Sequence, residues 1–390
     1  MKKSKVLKIL KCFIPKFIIE YRRKKLLSVI CENVFQTNYS KNCIIAYITS
    51  PFVNGISNSH QGQKVVVNLA EDIKNLGFNV DIVDYNTERT KYTKEYDICI
   101  DFALADHPGY ENFLKKNCIR IAYLTGSNNS WANRQEQNRI IAANNRKNGK
   151  MIPRRQSPNI SKCIEKYEGV LFVGNSYNLM TYKKEFSMPP VYYVGNYGVE
   201  LGVKHNTFNP KSFCFIGSVG QVHKGLDLLL EVFSKYCKDC ELYVFSAFNK
   251  EMDFCKAYHK ELFETSNIHA VGFISLESEE FKQYCEKITY MIIPSCSEAQ
   301  AGSVASAMGA GLIPICSKEC GYEDNEVINL EDCEIETIAK VVNEYSKKDE
   351  KWINEHSLKS IELIKTKYSE NLQRKRTIDA LEKILTITNK

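Results

Sequence analysis

The residues best placed for chemistry lie in one stretch, "PSCSEAQAGSVASAMGAGLIPI", residues 294–315. Glu298 is the only charge between Tyr290 and Lys318, and Ser, Gly and Ala crowd its C-terminal side. "MIIPS" reads as a strand and Ser295–Gly302 as the loop beyond it, with a helix starting near Gly302 or Ser303. The free N–H groups of such a helix end attract anions, and Ala301, Gly302 and Ser303 are small enough for a ligand to approach the backbone. Glu298 would then serve that ligand. Equally, it could cap the helix while the small residues permit tight helix–sheet packing.

A second candidate is "FIGSVGQVHKGLDLLL", a strand, a glycine turn and a helix. Gly217 and Gly220 let backbone N–H groups turn toward a ligand, and Lys224 stands beside the helix start. Together these favour an anion, phosphate above all; alone, Lys224 reads equally as a solvated lysine. In "NIHAVGFIS", Gly272 ends a strand and Phe273 and Ile274 begin a loop. This apolar lip suits a nucleobase or simply closes over the core.

Other chemistries lack their motifs. There is no Walker-type GxxxxGK and no GxGxxG after a strand, so a dinucleotide fingerprint is missing. The sequence has no Asp-x-Asp, which weakens any reading with a divalent metal on a diphosphate. The 15 cysteines include a single CxxC, Cys237–Cys240, and mostly sit in apolar runs, as reduced core thiols do.

The elements that must position these residues alternate. "NCIIAYITS", "VDIVDYN", "YDICIDF", "IRIAYLTGS", "EGVLFVGN" and "PVYYVGN" read as strands, with the amphipathic helix "QKVVVNLAEDIKNLGFN" after the first, closed by Gly77. A second series runs from about residue 211: "KSFCFIGSVG", "ELYVFSA", "IHAVGFI", "ITYMIIPS" and "LIPICSK" as strands, with "KGLDLLLEVFSKYC" and "GSVASAMGAG" as helices. From about 335 the chain is helical, and Ser369 is placed to cap the last helix. Alternation implies parallel β-α units with ligands at the strands' C-terminal ends. At 390 residues, two such domains are expected. Their predicted bounds are a leader at 1–40, domains at 41–200 and 201–365, and a helix at 366–390 that could pack back on the first domain.

The net charge of +7 belongs to the leader. Residues 1–25 hold ten Lys or Arg and one Glu, while the remainder is close to neutral, which does not support a nucleic-acid-binding body. Val6, Ile9, Leu10, Phe13 and Phe17 recur at helical spacing opposite the lysines, with no uncharged stretch near the roughly 18 residues a membrane span needs. The leader reads as a helix lying on an anionic membrane surface, or as a solvated basic helix.

In combination, the strand–glycine turn before "KGLDLLL", the "NIHAVGFI" segment and "PSCSE" with its small-residue helix and "GLIPI" resemble the retaining glycosyltransferases of family 4, often labelled group 1. "SNSHQGQKVVVNLAEDIKNLGFNVDIVDY" resembles their acceptor-side loop and first helix. "IAYLTGSNNSWANRQEQNRI", followed by "RKNGKMIPRRQ", resembles a subgroup associated with bacterial surface polysaccharide and lipopolysaccharide. The resemblance implies a GT-B fold, two Rossmann-like doubly wound domains facing across a cleft. It implies transfer of a sugar from a nucleoside diphosphate sugar to a glycan or lipid-linked glycan, with no cofactor and no metal.

By the same resemblance, Glu298 contacts the donor sugar beside the reacting carbon, and Lys224 neutralises the leaving diphosphate. The N–H groups of Ala301, Gly302 and Ser303 hold sugar and phosphate oxygens. Phe273 and Ile274 line the base pocket, while Gly217, Ser218, Gly220 and His223 belong to the phosphate turn. The acceptor side would comprise Asn58, Ser59, His60, Gln61, Thr125, Gly126 and Ser127. Ser306 stands where relatives place a second Glu that binds ribose, and Ser218 where they commonly place an Arg. The expected location is the cytoplasmic face of the cell membrane. A non-catalytic glycan-binding or scaffold protein and a sugar-nucleotide epimerase are the alternative readings.

Overall fold

The computed structural model describes residues 29–56, 62–87, 91–104, 109–203 and 209–388. The basic stretch 1–25 lies outside the described residues. The chain forms two compact units, Met1–Ala122 and Tyr123–Lys390.

In the first unit, β1 (Ile30–Cys31), β2 (Lys41–Tyr47), β3 (Phe78–Asp84), β4 (Tyr96–Asp101) and β5 (Leu114–Leu124) lie in the order β1-β3-β2-β4-β5. All pair in parallel except β1, which runs antiparallel on β3. Cys43–Ala46 and Val80–Val83 are buried without a break, because both faces of a parallel sheet are covered. The helix Gly62–Asn75 between β2 and β3 buries Val65, Val66, Leu69, Ala70 and Ile73, the stripe that its amphipathic pattern predicts. Gly77 follows it with φ +89°, a conformation that other residues rarely adopt.

The second unit holds a parallel pair, β6 (Gly169–Phe172) with β7 (Val191–Tyr193). It also holds a six-stranded parallel sheet of β8 (Ser212–Ile216), β9 (Glu241–Phe245), β10 (Ile268–His269), β11 (Tyr290–Ile293), β12 (Ile313–Ser317) and β13 (Ile328–Leu330). Their order is β10-β9-β8-β11-β12-β13. The chain therefore winds one way from β8 and the other way from β11, which makes the β8/β11 boundary a topological switch point. The strand expected over "IHAVGFI" ends at His269, where the Val271 N–H closes a tight turn on the His269 carbonyl at 2.9 Å.

The expected boundary at 200/201 falls inside the second unit. The helix Asn129–Lys147, which the strand-centred reading of the sequence passed over, packs against the second sheet's helices. Its Arg146 reaches Asp227 at 2.5 Å and Glu231 at 2.9 Å, and Lys147 pairs with Glu261. The C-terminal helices Ile335–Tyr345, Glu350–Thr366 and Glu370–Thr388 follow as expected. Ser369 Oγ accepts from the Leu372 N–H at 3.4 Å. Ile384 of the last helix lies on Gly169 of β6, where a Cβ would come within 2.6 Å of it. No helix among the described residues is long and apolar enough to cross a membrane. The cysteines among them, including Cys237 and Cys240, are unbridged thiols and mostly buried. The fold is thus α/β, built from Rossmann-like units.

Candidate functional site

Because β8 and β11 are adjacent and parallel, the turn after β8 and the loop after β11 leave the sheet side by side. Gly225 makes this approach possible. Its φ is +80°, and a Cβ there would stand 2.5 Å from the Pro294 carbonyl oxygen, so only glycine fits. The Cys296 N–H donates to the His223 carbonyl at 2.9 Å, and Arg139 from the helix Asn129–Lys147 donates to the Pro294 carbonyl at 3.1 Å. Loop and turn form one assembly.

At its centre Lys224 Nζ pairs with Glu298 Oε1, their side chains only 9% and 11% exposed. Ser295 Oγ donates to the same carboxylate oxygen at 3.3 Å. Burial by itself would raise the Glu298 carboxyl; the charges of Lys224 and Arg155, joined by His223 once acid protonates it, outweigh burial and bring the carboxyl down to about 2. It is ionised at neutral pH. The helix Gly302–Gly309 has no side-chain cap, so capping is not what Glu298 does.

His223 is buried. Its Nε2–H donates to the Ser297 carbonyl at 2.5 Å, which leaves Nδ1 without a hydrogen-bond partner, 3.8 Å from Glu136 Oε1. Burial pushes its pKa down to about 4, so the ring is neutral at pH 7.

Two expected anion donors are already engaged. The Gly217 N–H continues the sheet ladder to Phe245 at 2.9 Å. The Gly220 N–H donates at 2.6 Å to Glu251, a buried carboxylate that also accepts from the Gln221 N–H at 3.3 Å. The turn is closed on a distant buried carboxylate, not held open. Ser218 is placed on this turn as expected, and its carbonyl accepts from Gln221 Nε2 at 2.7 Å.

At the second helix end, the Ala301 N–H donates to the Cys320 carbonyl at 3.0 Å and is spent there. Gly302 and Ser303 remain to present N–H groups at the helix N-terminus. The small residues therefore divide their tasks. Those at the start clear the helix end, while Gly309 lets the Val199 carbonyl reach within 2.0 Å of where a Cβ would stand. Ser306 Oγ bonds back to the Gly302 carbonyl at 3.0 Å.

Phe273 is 56% exposed beyond β10, as a lip requires, and Ile274 packs against the core. Ser127 joins the site through its N–H and Oγ, which donate to the Glu298 carbonyl at 3.2 and 3.3 Å, with Thr125 and Gly126 just before it. Asn178 Nδ2 binds the same carbonyl at 3.3 Å. Asn58, Ser59, His60 and Gln61 lie outside the described residues.

The sequence reading missed Ser295, Glu136, Arg139, Asn178, Glu251 and Arg155. Ser295, Glu136, Arg139 and Arg155 lie inside the motifs quoted above, but nothing in those motifs marks them for a role; Asn178 and Glu251 lie outside them.

Residues 210–345 match the family model described as "Glycosyl transferases group 1". No curated protein sequence is significantly similar to the chain. Among solved structures, TarM is 16% identical with a TM-score of 0.52, over 75% of this chain and 54% of its own. The chain thus spans about half the length of TarM, of which an S. aureus mutant was solved with fondaparinux, alpha-GlcNAc-glycerol and UDP. WaaG, a glycosyltransferase involved in lipopolysaccharide biosynthesis, is 12% identical with a TM-score of 0.52, over 87% of this chain and 99% of its own. The sucrose-phosphate synthase of Thermosynechococcus elongatus is 11% identical with a TM-score of 0.61, over 89% and 99%. Such identities speak for the fold alone. The chain has the GT-B fold, and its residues 210–345 are similar to the group 1 glycosyltransferase domain.

Proposed function

We propose that this chain moves a sugar from a nucleoside diphosphate sugar to a glycan or lipid-linked glycan in the synthesis of cell-surface polysaccharide, with retention at the anomeric carbon. The observation that carries the reading is the ionised Glu298 held against Lys224 at the switch point of the nucleotide-binding-type sheet. The UDP and glycosyl-glycerol bound by TarM and the lipopolysaccharide role of WaaG support the substrate classes.

The hard step is departure of an anionic diphosphate from a developing oxocarbenium ion. Lys224 and the N-terminus of Gly302–Gly309 stabilise the departing charge, the largest expected contribution. Glu298, ionised across the physiological range, faces the electron-poor carbon and orients the ring. The departing phosphate takes the acceptor's proton, so neutral His223 is not needed as a base. Phe273 offers the base a flat apolar surface. Neither metal nor cofactor takes part, and residues 1–25 hold the enzyme on the anionic inner face of the membrane.

A non-catalytic, glycan-binding or scaffolding role is the second reading. It is favoured by the turn donors already taken by Glu251 and by the back-bonded Ser306. Calorimetric titration of the full chain with UDP, GDP, ADP, CDP and dTDP decides between them. Binding of one, followed by transfer from its sugar derivative in the presence of EDTA, is the expected result. A folded chain that binds none of the five would refute the enzyme.

A further inference from the structure

Around the turn after β8, the groups suited to an anion are largely occupied by the protein itself. Glu251 holds the Gly220 and Gln221 N–H groups, Lys224 is paired with Glu298, and His223 is neutral. Net positive charge for a diphosphate has to come from another element.

Arg155 is so placed. Its side chain lies directly on Gly220, where a Cβ would stand 2.7 Å from Arg155 Cγ and 3.2 Å from Cδ. The backbone beneath it is fixed by a buried carboxylate. Glu136, 1% exposed, accepts the Arg155 N–H at 2.9 and 3.1 Å, the Arg154 N–H at 2.8 Å and Gln156 Nε2 at 2.7 Å. Arg155 is exposed, and its guanidinium has no hydrogen-bond or ion-pair partner among the described residues, whereas its neighbour Arg154 pairs with Asp253 at 2.5 Å. Its charge nevertheless reaches Glu298 and His223. A long side chain pinned at its root and laid over a glycine, with its head group unpaired, is preorganised for an incoming anion.

We infer that Arg155 receives the donor's diphosphate, supplying from the segment after the helix Asn129–Lys147 the guanidinium that the turn lacks at Ser218, and that Glu136 positions it. The inference rests on the proposed donor class. Its test uses the nucleoside diphosphate that the wild-type chain binds among the five, alongside the corresponding monophosphate. Arg155→Gln weakens the diphosphate about tenfold to a hundredfold and the monophosphate much less, with an unchanged melting temperature. Arg155→Lys restores part of the loss, because the charge returns without the planar fork. Glu136→Gln lowers diphosphate affinity selectively, a discrimination that general loosening would not produce, and Arg154→Gln leaves both affinities unchanged. Equal affinity of Arg155→Gln and wild type, or an equal loss for both nucleotides, overturns the inference while the proposed function stands. A wild-type chain that binds no nucleotide overturns both.

Discussion

The turn after β8 and the loop after β11 leave neighbouring parallel strands in the same direction, and each carries or meets a buried acid, yet the two acids are treated oppositely. Glu251 is enclosed by backbone donors, with its nearby guanidinium, Arg154, bonded to Asp253; burial raises its pKa against those bonds. Glu298 meets cationic side chains, and they bring its pKa down to about 2 despite burial. Hydrogen bonds to N–H groups build a turn. In the proposed reaction, ion pairing to a lysine at a switch point keeps a charge available, since a small movement of Lys224 toward a phosphate would leave the carboxylate facing the sugar. On the proposed function, the two acids divide into a structural and a chemical one.

Substitution at the two acids should separate these roles. Glu298→Ala should reduce transfer at least about 100-fold while nucleotide affinity stays within a few-fold, measured by turnover and titration on the same preparation. A proportionate loss of both would make Glu298 a structural acid like Glu251. Glu251→Ala, by contrast, should lower stability by about 1–3 kcal/mol, because the Gly220 and Gln221 N–H groups lose their buried acceptor. Thermal melting reads this, and an unchanged melting temperature would contradict it.

The pH dependence sharpens the contrast. Burial brings His223 down to about 4 from the ordinary imidazole value of 6.5, so its contribution is complete above pH 6.5 and lost as pH falls toward 4. The size is about 3 kcal/mol by order of magnitude. Glu298 acts lower, since its contribution is complete above 4.5 and lost toward 2. Asp227, which burial pushes up to about 6, works in the opposite sense, with its cost appearing as pH rises from 3.8. His223→Gln should therefore flatten the fall in melting temperature between pH 6.5 and 4; a fall as steep as wild type's would assign that loss elsewhere. The smallest effect is expected at Ser306. Its hydroxyl is spent on its own helix, so Ser306→Ala should change nucleotide affinity by less than about twofold. A tenfold loss would show that the serine serves the ribose.

What could be read from the residues alone was local. Short β-rich apolar runs placed the strands, and a 3.6-residue apolar period placed the helix Leu226–Lys235. Glycine at 217 and 220, lysine at 224 and the small residues from 301 marked a turn and a helix start, because tight turns and close backbone approach restrict residue type at single positions. The resemblance then brought Glu298 and Lys224 together as a working pair. What only the tertiary structure decided was which polar groups were already spent. Glu251 reaches back 30 and 31 positions to the turn, and Glu136 fixes a loop 18 to 20 positions ahead of it and carries Arg155 onto Gly220. Such partners follow from strand order and helix docking, which bring distant positions together without leaving a periodic trace. Each polar group has a limited number of donors and acceptors, and only the folded chain shows how they are shared.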